Sequence, residues 1–478
     1  MKSSHHHKSG CTILSERNAR VEGPRASTRR LSCLKVPNLS AVFLYLAIAT
    51  VASAQSLPPG TTSPDAPSIT PLARAEAAIA EQNYASAKSQ LLILTAKSPT
   101  DARSLYDLGY VCSALHDATA AEAAYRAAIA ADPNQFESHA ALGLLLFDSN
   151  PTEAHTQLLA ATRLTPATDA ASARATVLRA LAQLDLDTAP ATASDEILAA
   201  IQLTPQTPAD LYLIAQIADN LADATDALAT YNRVIADPAA DPALVSNAQT
   251  AVAAILIHQN KLADAETLLS AALQSAPDSP ALSAQLARVY TLQGSPDKAA
   301  ALLAAVHTAN PQDAATTRML ADAYNRSNRP AEADTLYAQL IAASPSDITL
   351  LIDRGTSLIR QQKFAQAQTL LQHADALFLA TPSALPSTDD RLQLTGSLAF
   401  AASENAEPAA CLAALDQRLQ YGAETPSTLF LRATAHDHLH HIPQARSFYS
   451  QFLAASRGQF PDEEWQARHR LIALAHDK

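Results

Sequence analysis

Glycine is scarce in this chain of 478 residues, which contains only ten of them, and aromatic residues make up only 5%. Tight turns between β-strands depend on glycine, so the composition argues against a fold built from many hairpins. Hydrophobic residues still reach 48%, and much of that share is alanine. Because alanine loses no side-chain entropy in a helix, the sequence predicts many slender helices packed closely together.

Cysteine is also rare. Two of the four cysteines, Cys11 and Cys33, lie near the N-terminus, and the other two, Cys112 and Cys411, are far apart. This spacing excludes a disulfide framework as the basis of the fold.

Positive charge is depleted over most of the sequence. The net charge is −12, although residues 1–54 carry eight lysines and arginines against two acidic residues. The acidic remainder lacks the clustered basic side chains that neutralise phosphates, so we expect no nucleic-acid partner.

The basic N-terminal segment has the features of an export signal. Residues 36–64 carry no charge, and an apolar run over 41–51 ends at the small residues Ala52 to Ala54. This pattern predicts a signal peptide over residues 1–54, and therefore a periplasmic or secreted protein. An uncleaved membrane anchor is the alternative, although the run is short for a bilayer span. Residues 55–71, rich in Pro, Ser and Thr, predict a flexible linker.

The remainder of the chain repeats with a period near 34 residues. One unit shows Leu105, Leu108 and Gly109, followed by Ala121 and Tyr125, and closes with a proline. A small residue followed four positions later by a large apolar one recurs eleven times. The small residues of these pairs are Ala87, Ala121, Ala154, Ala193, Ala227, Ala265, Ala299, Ala333, Ala367, Cys411 and Ala445.

This pattern resembles the tetratricopeptide repeat, a helix–turn–helix unit. The resemblance implies an all-α fold, a right-handed superhelical solenoid of about eleven repeats over residues 72–460. Spacing is stretched in places, and residues 379–389 are expected to form an extended loop. Residues 461–478 predict a C-terminal capping helix, which includes the single tryptophan, Trp465.

In this family the concave surface, lined by the first helix of each repeat, binds peptides. The repeat frame therefore predicts a partner-binding face at Tyr106, Tyr110, Tyr212, Arg288, Arg318, Asn325, Arg326 and Arg360. The arginines are suited to an acidic segment or a terminal carboxylate. The alternatives are that each arginine pairs with a nearby acid or points into water, and that the tyrosines are packing residues.

No catalytic motif is present: the sequence has no GxSxG, HExxH, phosphate-binding glycine loop or CxxC. His436 and His440 are the best metal-ligand candidates because they lie four residues apart in a histidine-rich segment. The alternative is that they are solvated residues at a helix end. We therefore predict a non-catalytic scaffold of the bacterial cell envelope that binds proteins and has no cofactor. Recognition of a carbohydrate or small ligand, or a metal-dependent enzyme, remain the alternatives.

Overall fold

A computed structural model describes residues 70–167, 169–380 and 387–476. The predicted signal peptide, almost all of the linker and most of the predicted loop lie outside these residues. The described residues form α-helices joined by short turns, and no strand occurs among them. The all-α prediction is therefore confirmed.

The chain divides into two compact units, with the boundary after Ile255. In the N-terminal unit the helices are α1 (Pro71–Ala80), α2 (Tyr84–Lys97), α3 (Ala102–Ala114), α4 (Ala118–Ala131), α5 (Phe136–Leu146), α6 (Pro151–Thr162), α7 (Ala170–Asp185), α8 (Pro190–Leu203), α9 (Pro208–Asn220) and α10 (Ala224–Ala236). Helix α11 (Pro242–His258) contains the boundary.

In the C-terminal unit the helices are α12 (Leu262–Ser275), α13 (Pro280–Leu292), α14 (Pro296–Ala309), α15 (Ala314–Arg326), α16 (Pro330–Ala343), α17 (Ile348–Arg360), α18 (Phe364–Ala380), α19 (Thr388–Glu404), α20 (Pro408–Leu419), α21 (Pro426–His438), α22 (Ile442–Ser456) and α23 (Pro461–His476). Each helix packs on the next in the chain, and α13 also contacts α15, as α17 contacts α19 and α19 contacts α21. The odd-numbered helices of this unit are thus near neighbours.

The small residue of each repeat lies where two helices touch. All eleven small residues named above have no exposed surface, and the large apolar residues four positions later are at most 4% exposed. A methyl or thiol group at the contact lets the helices approach closely, and the larger side chain fills the space beside it. The helices approach most closely where the residue is a glycine. At Gly355 a Cβ atom would lie only 2.6 Å from the side chain of Leu371.

The turns inside the repeats adopt a left-handed backbone conformation, which glycine usually provides, although the chain contains few glycines. Nine residues in the left-handed region, with φ between 56° and 73°, each lie five positions before one of the small helix residues. Only one of the nine is a glycine, Gly294. The other eight are Gln82, His116, Ala222, Asn260, Asn328, Gln362, Ala406 and His440. Their Cβ atoms make this conformation unfavourable by about 1 kcal/mol or more at each turn.

Replacing Ala406 by glycine should therefore stabilise the C-terminal unit. Its φ is 56° and its side chain is exposed, so Ala406→Gly removes strain without removing a contact. We expect the free energy of unfolding to rise by about 1 kcal/mol, as measured by urea denaturation. Ala413→Gly, at an exposed site inside α20, is the matched control and should lower it by about 1 kcal/mol. Equal losses in the two variants would contradict this account of the turn.

Candidate partner-binding face

Five of the predicted binding residues lie on three odd-numbered helices of the C-terminal unit. Arg288 is on α13, Arg318, Asn325 and Arg326 are on α15, and Arg360 ends α17. We call these five residues the arginine face. Two relations in sequence fix their register: Arg326 and Arg360 are 34 residues apart, and the residue 34 positions after Arg288 is Asp322.

Arg318 is paired within the protein. Its Nη2 donates to Oδ2 of Asp353 on α17 at 2.9 Å, and its side chain is 36% exposed. Burial opposes the charge, but Asp353 and Asp322 outweigh it and raise the pKa of the guanidinium. Arg318 therefore forms an ion pair with a neighbouring acid, which is one of the alternatives that the sequence analysis gave for these arginines.

Asn325 belongs to a small polar cluster beneath the surface. The hydroxyl of Tyr337 on α16 donates to Asp322, and Asn325 lies near the same hydroxyl. Burial, together with Asp322, moves the pKa of Tyr337 far above its usual value. The Oδ1 atom of Asn325 is buried and has no donor among the described residues.

Unlike Arg318, Arg288 has no carboxylate partner among the described residues. Its Nε atom is buried, and no described residue accepts a hydrogen bond from it. Burial alone lowers the pKa of this arginine, with no carboxylate to offset the effect. An unmet polar atom of this kind costs about 1–3 kcal/mol. Arg288 is thus a half-buried cation that the described part of the protein leaves uncompensated.

The remaining two arginines differ in exposure. Arg326, the last residue of α15, is exposed, and no described residue forms an ion pair or hydrogen bond with it. Arg360, at the equivalent position of α17, is half-buried. The face therefore combines Arg318, which is paired with Asp353, with the exposed Arg326 and the half-buried Arg360.

One residue of this region was not identified from the sequence. Gln285 on α13 is only 8% exposed, and its Oε1 atom has no hydrogen-bond donor among the described residues. Its position three residues before Arg288 places it on the same side of the helix, which is the signal that was available. A glutamine in a helix is ordinarily a solvated residue, so the sequence gave no reason to single it out.

The three tyrosines lie in the N-terminal unit and are mostly packing residues. Tyr106 and Tyr212 are 7% and 4% exposed, and their rings pack against Tyr125 and Tyr231 at centroid distances of 5.9 and 5.6 Å. They offer little surface to a partner. Tyr110 is half-buried, with its ring edge-to-face against Tyr84, so only Tyr110 retains appreciable surface.

The histidine-rich segment lies at the turn between α21 and α22. His436 contacts His441, not His440, with the two Nδ1 atoms 3.2 Å apart. Its ring also stacks on Phe448 at a centroid distance of 5.4 Å. His440 is exposed and has a φ of 57°. No group of three metal-ligating side chains is found in residues 70–167, 169–380 and 387–476.

Two family models described as tetratricopeptide repeat match the sequence. One matches residues 256–322 and 291–350, and the other matches residues 72–136 and 212–280. None of the curated proteins compared with the chain matches it. Among the described helices, none has both the length and the apolar character required to cross a membrane.

Solved structures that resemble the chain include three of low sequence identity. A tetratricopeptide repeat protein from Parabacteroides merdae is 13% identical, with 56% of this chain and 99% of that one covered and a TM-score of 0.40. For pilF of Pseudomonas aeruginosa the values are 17%, 47%, 97% and 0.39. For the APC/C hetero-tetramer Cut9–Hcn1 they are 13%, 82%, 95% and 0.39. Likenesses at this level assign no function to the chain.

His436 should titrate below the usual histidine pKa of about 6.5. Burial lowers its pKa first, and His441 and Arg432 lower it further against the opposing effect of Asp416. The unfolded chain therefore binds more protons here, and this residue's contribution to stability is lost as pH falls from about 6.5 through the lower pKa of the folded protein. Titration of histidine Cε1 protons by NMR measures the pKa directly.

His441→Asn provides the check on the cause. Removing the second imidazole should move the pKa of His436 upward, toward 6.5, because one of the groups that disfavour the charged ring is gone. A His436 that titrates at or above 6.5 in the unaltered protein would contradict the lowered pKa, and one that does not respond to His441→Asn would contradict the contribution of His441.

Proposed function

Because the chain is a tetratricopeptide repeat protein, we propose that it is a non-catalytic scaffold that binds partner polypeptides across the odd-numbered helices of its C-terminal unit. One observation carries the proposal: Arg288 and Arg326 on these helices have no carboxylate partner among the described residues, whereas Arg318 and Arg354 do. Arg288 has an unsatisfied Nε, and Arg326 is exposed and has no partner among the described residues.

The charge of the whole chain supports an acidic partner segment at this face. In a protein with a net charge of −12, a local group of arginines opposes the general field and attracts negative charge. Arginine also binds carboxylates through two parallel hydrogen bonds, which gives such a contact direction. We therefore infer that the partner presents an acidic segment or a terminal carboxylate.

The setting that we propose is the bacterial cell envelope, on the strength of residues 1–54. Their basic start, apolar run and small residues before Gln55 are typical of a cleaved signal peptide. A scaffold exported in this way would meet periplasmic or secreted partners, and envelope assembly or secretion are settings that fit.

Recognition of a carbohydrate is the second candidate, and the structure offers it less support. A sugar site would need a closed pocket lined by stacked aromatic rings, whereas Tyr106 and Tyr212 are almost fully buried in packing contacts. A metal-dependent activity at His436 would need further ligands beyond His441, and the described residues provide no group of three.

Charge reversal of the arginine face should change which proteins the scaffold captures. In Arg288→Glu, Arg326→Glu, Arg360→Glu, an attractive face becomes repulsive to acidic segments, so specific partners should fall at least tenfold in affinity capture from envelope extracts. Quantitative mass spectrometry of the captured proteins is the measurement.

A triple variant with the same charge change provides the control. Lys261, Lys298 and Arg446 are exposed and lie outside the arginine face, so reversing all three to Glu should leave the partner list unchanged. If the two triple variants capture the same proteins as the unaltered chain, the arginine face is not the binding surface. If the unaltered chain captures nothing specific, the scaffold function itself fails.

Residues 1–54 should export a reporter protein. Fused to alkaline phosphatase that lacks its own signal, they should produce periplasmic activity and a mature protein that starts at Gln55 by N-terminal sequencing. Leu44→Arg interrupts the apolar run and should reduce export strongly. Equal reporter activity with and without this substitution would exclude an export role for the run.

A further inference from the structure

Two imidazole rings face each other at the turn between α21 and α22. The Nδ1 atoms of His436 and His441 lie 3.2 Å apart and share a hydrogen bond. The ring centroids are 5.5 Å apart, with an angle of 45° between the ring planes. His441 is exposed and His436 is half-buried, so the pair lies at the surface of the protein. Imidazole nitrogen is a ligand that divalent transition metals bind readily.

The backbone of the turn holds the two rings close together. His436 lies in the last turn of α21, and His441 directly precedes α22. The N–H group of His441 donates to the carbonyl oxygen of His436 at 2.9 Å, and the N–H group of Ala445 donates to the carbonyl oxygen of His441 at 2.9 Å. Folding of the turn, and not the binding of an ion, therefore brings the two side chains together.

Phe448 of α22 fixes the orientation of the first ring. The ring of His436 stacks on that of Phe448, with centroids 5.4 Å apart and an angle of 2° between the planes. Phe448 itself packs against the buried apolar cluster that α21, α22 and α23 form. A ring that its neighbours already hold in one orientation loses less conformational freedom when it binds a ligand.

The separation of the two nitrogen atoms fits a single metal ion. Imidazole nitrogens bind Zn²⁺ at about 2.0–2.1 Å, so two nitrogens 3.2 Å apart subtend an angle of about 100° at the ion. This angle lies between the right angle of tetragonal coordination and the tetrahedral angle. Rotation of the two rings toward an ion beside them therefore forms both bonds without a change in the nitrogen separation.

A change of tautomer makes both nitrogen lone pairs available to the ion. In the hydrogen bond between the rings, one Nδ1 atom carries the proton and the other accepts it. When the donor ring loses this proton from Nδ1 and takes one up at Nε2, it remains neutral. The ion then replaces one N–H···N hydrogen bond with two metal–nitrogen bonds, and no net proton is released.

The charges around the pair are balanced. Arg432 and Asp416 are both close enough to affect the charge of the His436 ring. The guanidinium of Arg432 forms ion pairs with Asp416 at 2.5 Å and with Glu424 at 2.8 Å. These two carboxylates offset the repulsion that Arg432 would exert on a bound cation.

We propose that His436 and His441 form a surface site for one divalent transition-metal ion, which binds the two Nδ1 atoms and has water at its remaining positions. Affinities of nitrogen ligands rise from Ni²⁺ to Cu²⁺ and fall again at Zn²⁺, so Cu²⁺ is the ion that binds most tightly. No group of three metal-ligating side chains occurs among the described residues, so the remaining positions are open to solvent. This site does not depend on the scaffold function proposed above.

Titration of the full chain with Cu²⁺ in a non-coordinating buffer tests the site. Every protein in the test also carries His5→Ala, His6→Ala and His7→Ala, because three consecutive histidines near the N-terminus would bind the same ion. Calorimetry measures affinity and stoichiometry, and electron paramagnetic resonance counts the nitrogen ligands from their hyperfine splitting. We expect the tightest site to hold one Cu²⁺ ion per chain, with two nitrogen ligands.

Three substitutions in the same segment identify the ligands. His441→Asn should weaken Cu²⁺ binding at least tenfold. His436→Phe should have the same effect, since it removes the nitrogen and retains an aromatic ring to stack on Phe448. His440→Asn is the matched control, because it removes an exposed histidine of the same turn and asparagine tolerates its φ of 57°. It should change the affinity less than twofold.

Thermal unfolding of the metal-free variants checks that the turn still folds, and we expect their Tm values to match that of the unaltered turn. Three results would overturn the proposal. These are the lack of a tight Cu²⁺ site, a resonance signal with only one nitrogen ligand, and equal losses of affinity in His440→Asn and His441→Asn. The last result would mean that any histidine of the segment binds the ion, and that the contact between His436 and His441 does not form a site.

Discussion

The contact between the two helices of each repeat is the constraint on which the rest of the structure depends. At each contact a small side chain has no exposed surface and a large one four residues later fills the adjoining space. Helices that approach this closely exclude water from their backbones, and side chains there interlock like those of any protein interior. Alanine therefore supplies the core here by permitting close approach, more than by the apolar area that it buries.

Such packing leaves one side of each odd-numbered helix free to differ between repeats. Positions used for packing repeat closely, as in Ala299 and Ala333, whereas other positions diverge, as in Arg288 and Asp322. The same register thus holds a cation in one repeat and a carboxylate in the next. Differences of this kind give a regular scaffold a specific partner, since each repeat contributes different chemistry at an equivalent place.

The repeat period and the side-chain volumes in the sequence predicted which residues of each repeat are buried. Features that depend on which residues are neighbours in space were not predicted correctly. The eleven small and large positions are buried as expected. The left-handed turns were not foreseen, because Ala406 and Gln362 adopt a conformation that is normally given to glycine. The frame also placed Tyr106 and Tyr212 on the binding side, but their rings pack on tyrosines of the following helices. The two units follow the predicted helical class, while the repeat number and the domain limits stay predictions.

Arg288 and Arg318 show why residue type alone does not identify a binding group. Both are arginines on odd-numbered helices and both are partly buried, yet a carboxylate 35 residues further along the chain satisfies only Arg318. Pairing raises the pKa of Arg318, and isolation lowers that of Arg288. Since a ligand gains most from a charge that the protein itself has not neutralised, the unpaired arginine is the one that a partner's carboxylate would stabilise. The lack of an acidic neighbour among the described residues is therefore the reason that we propose Arg288, and not Arg318, as the binding group.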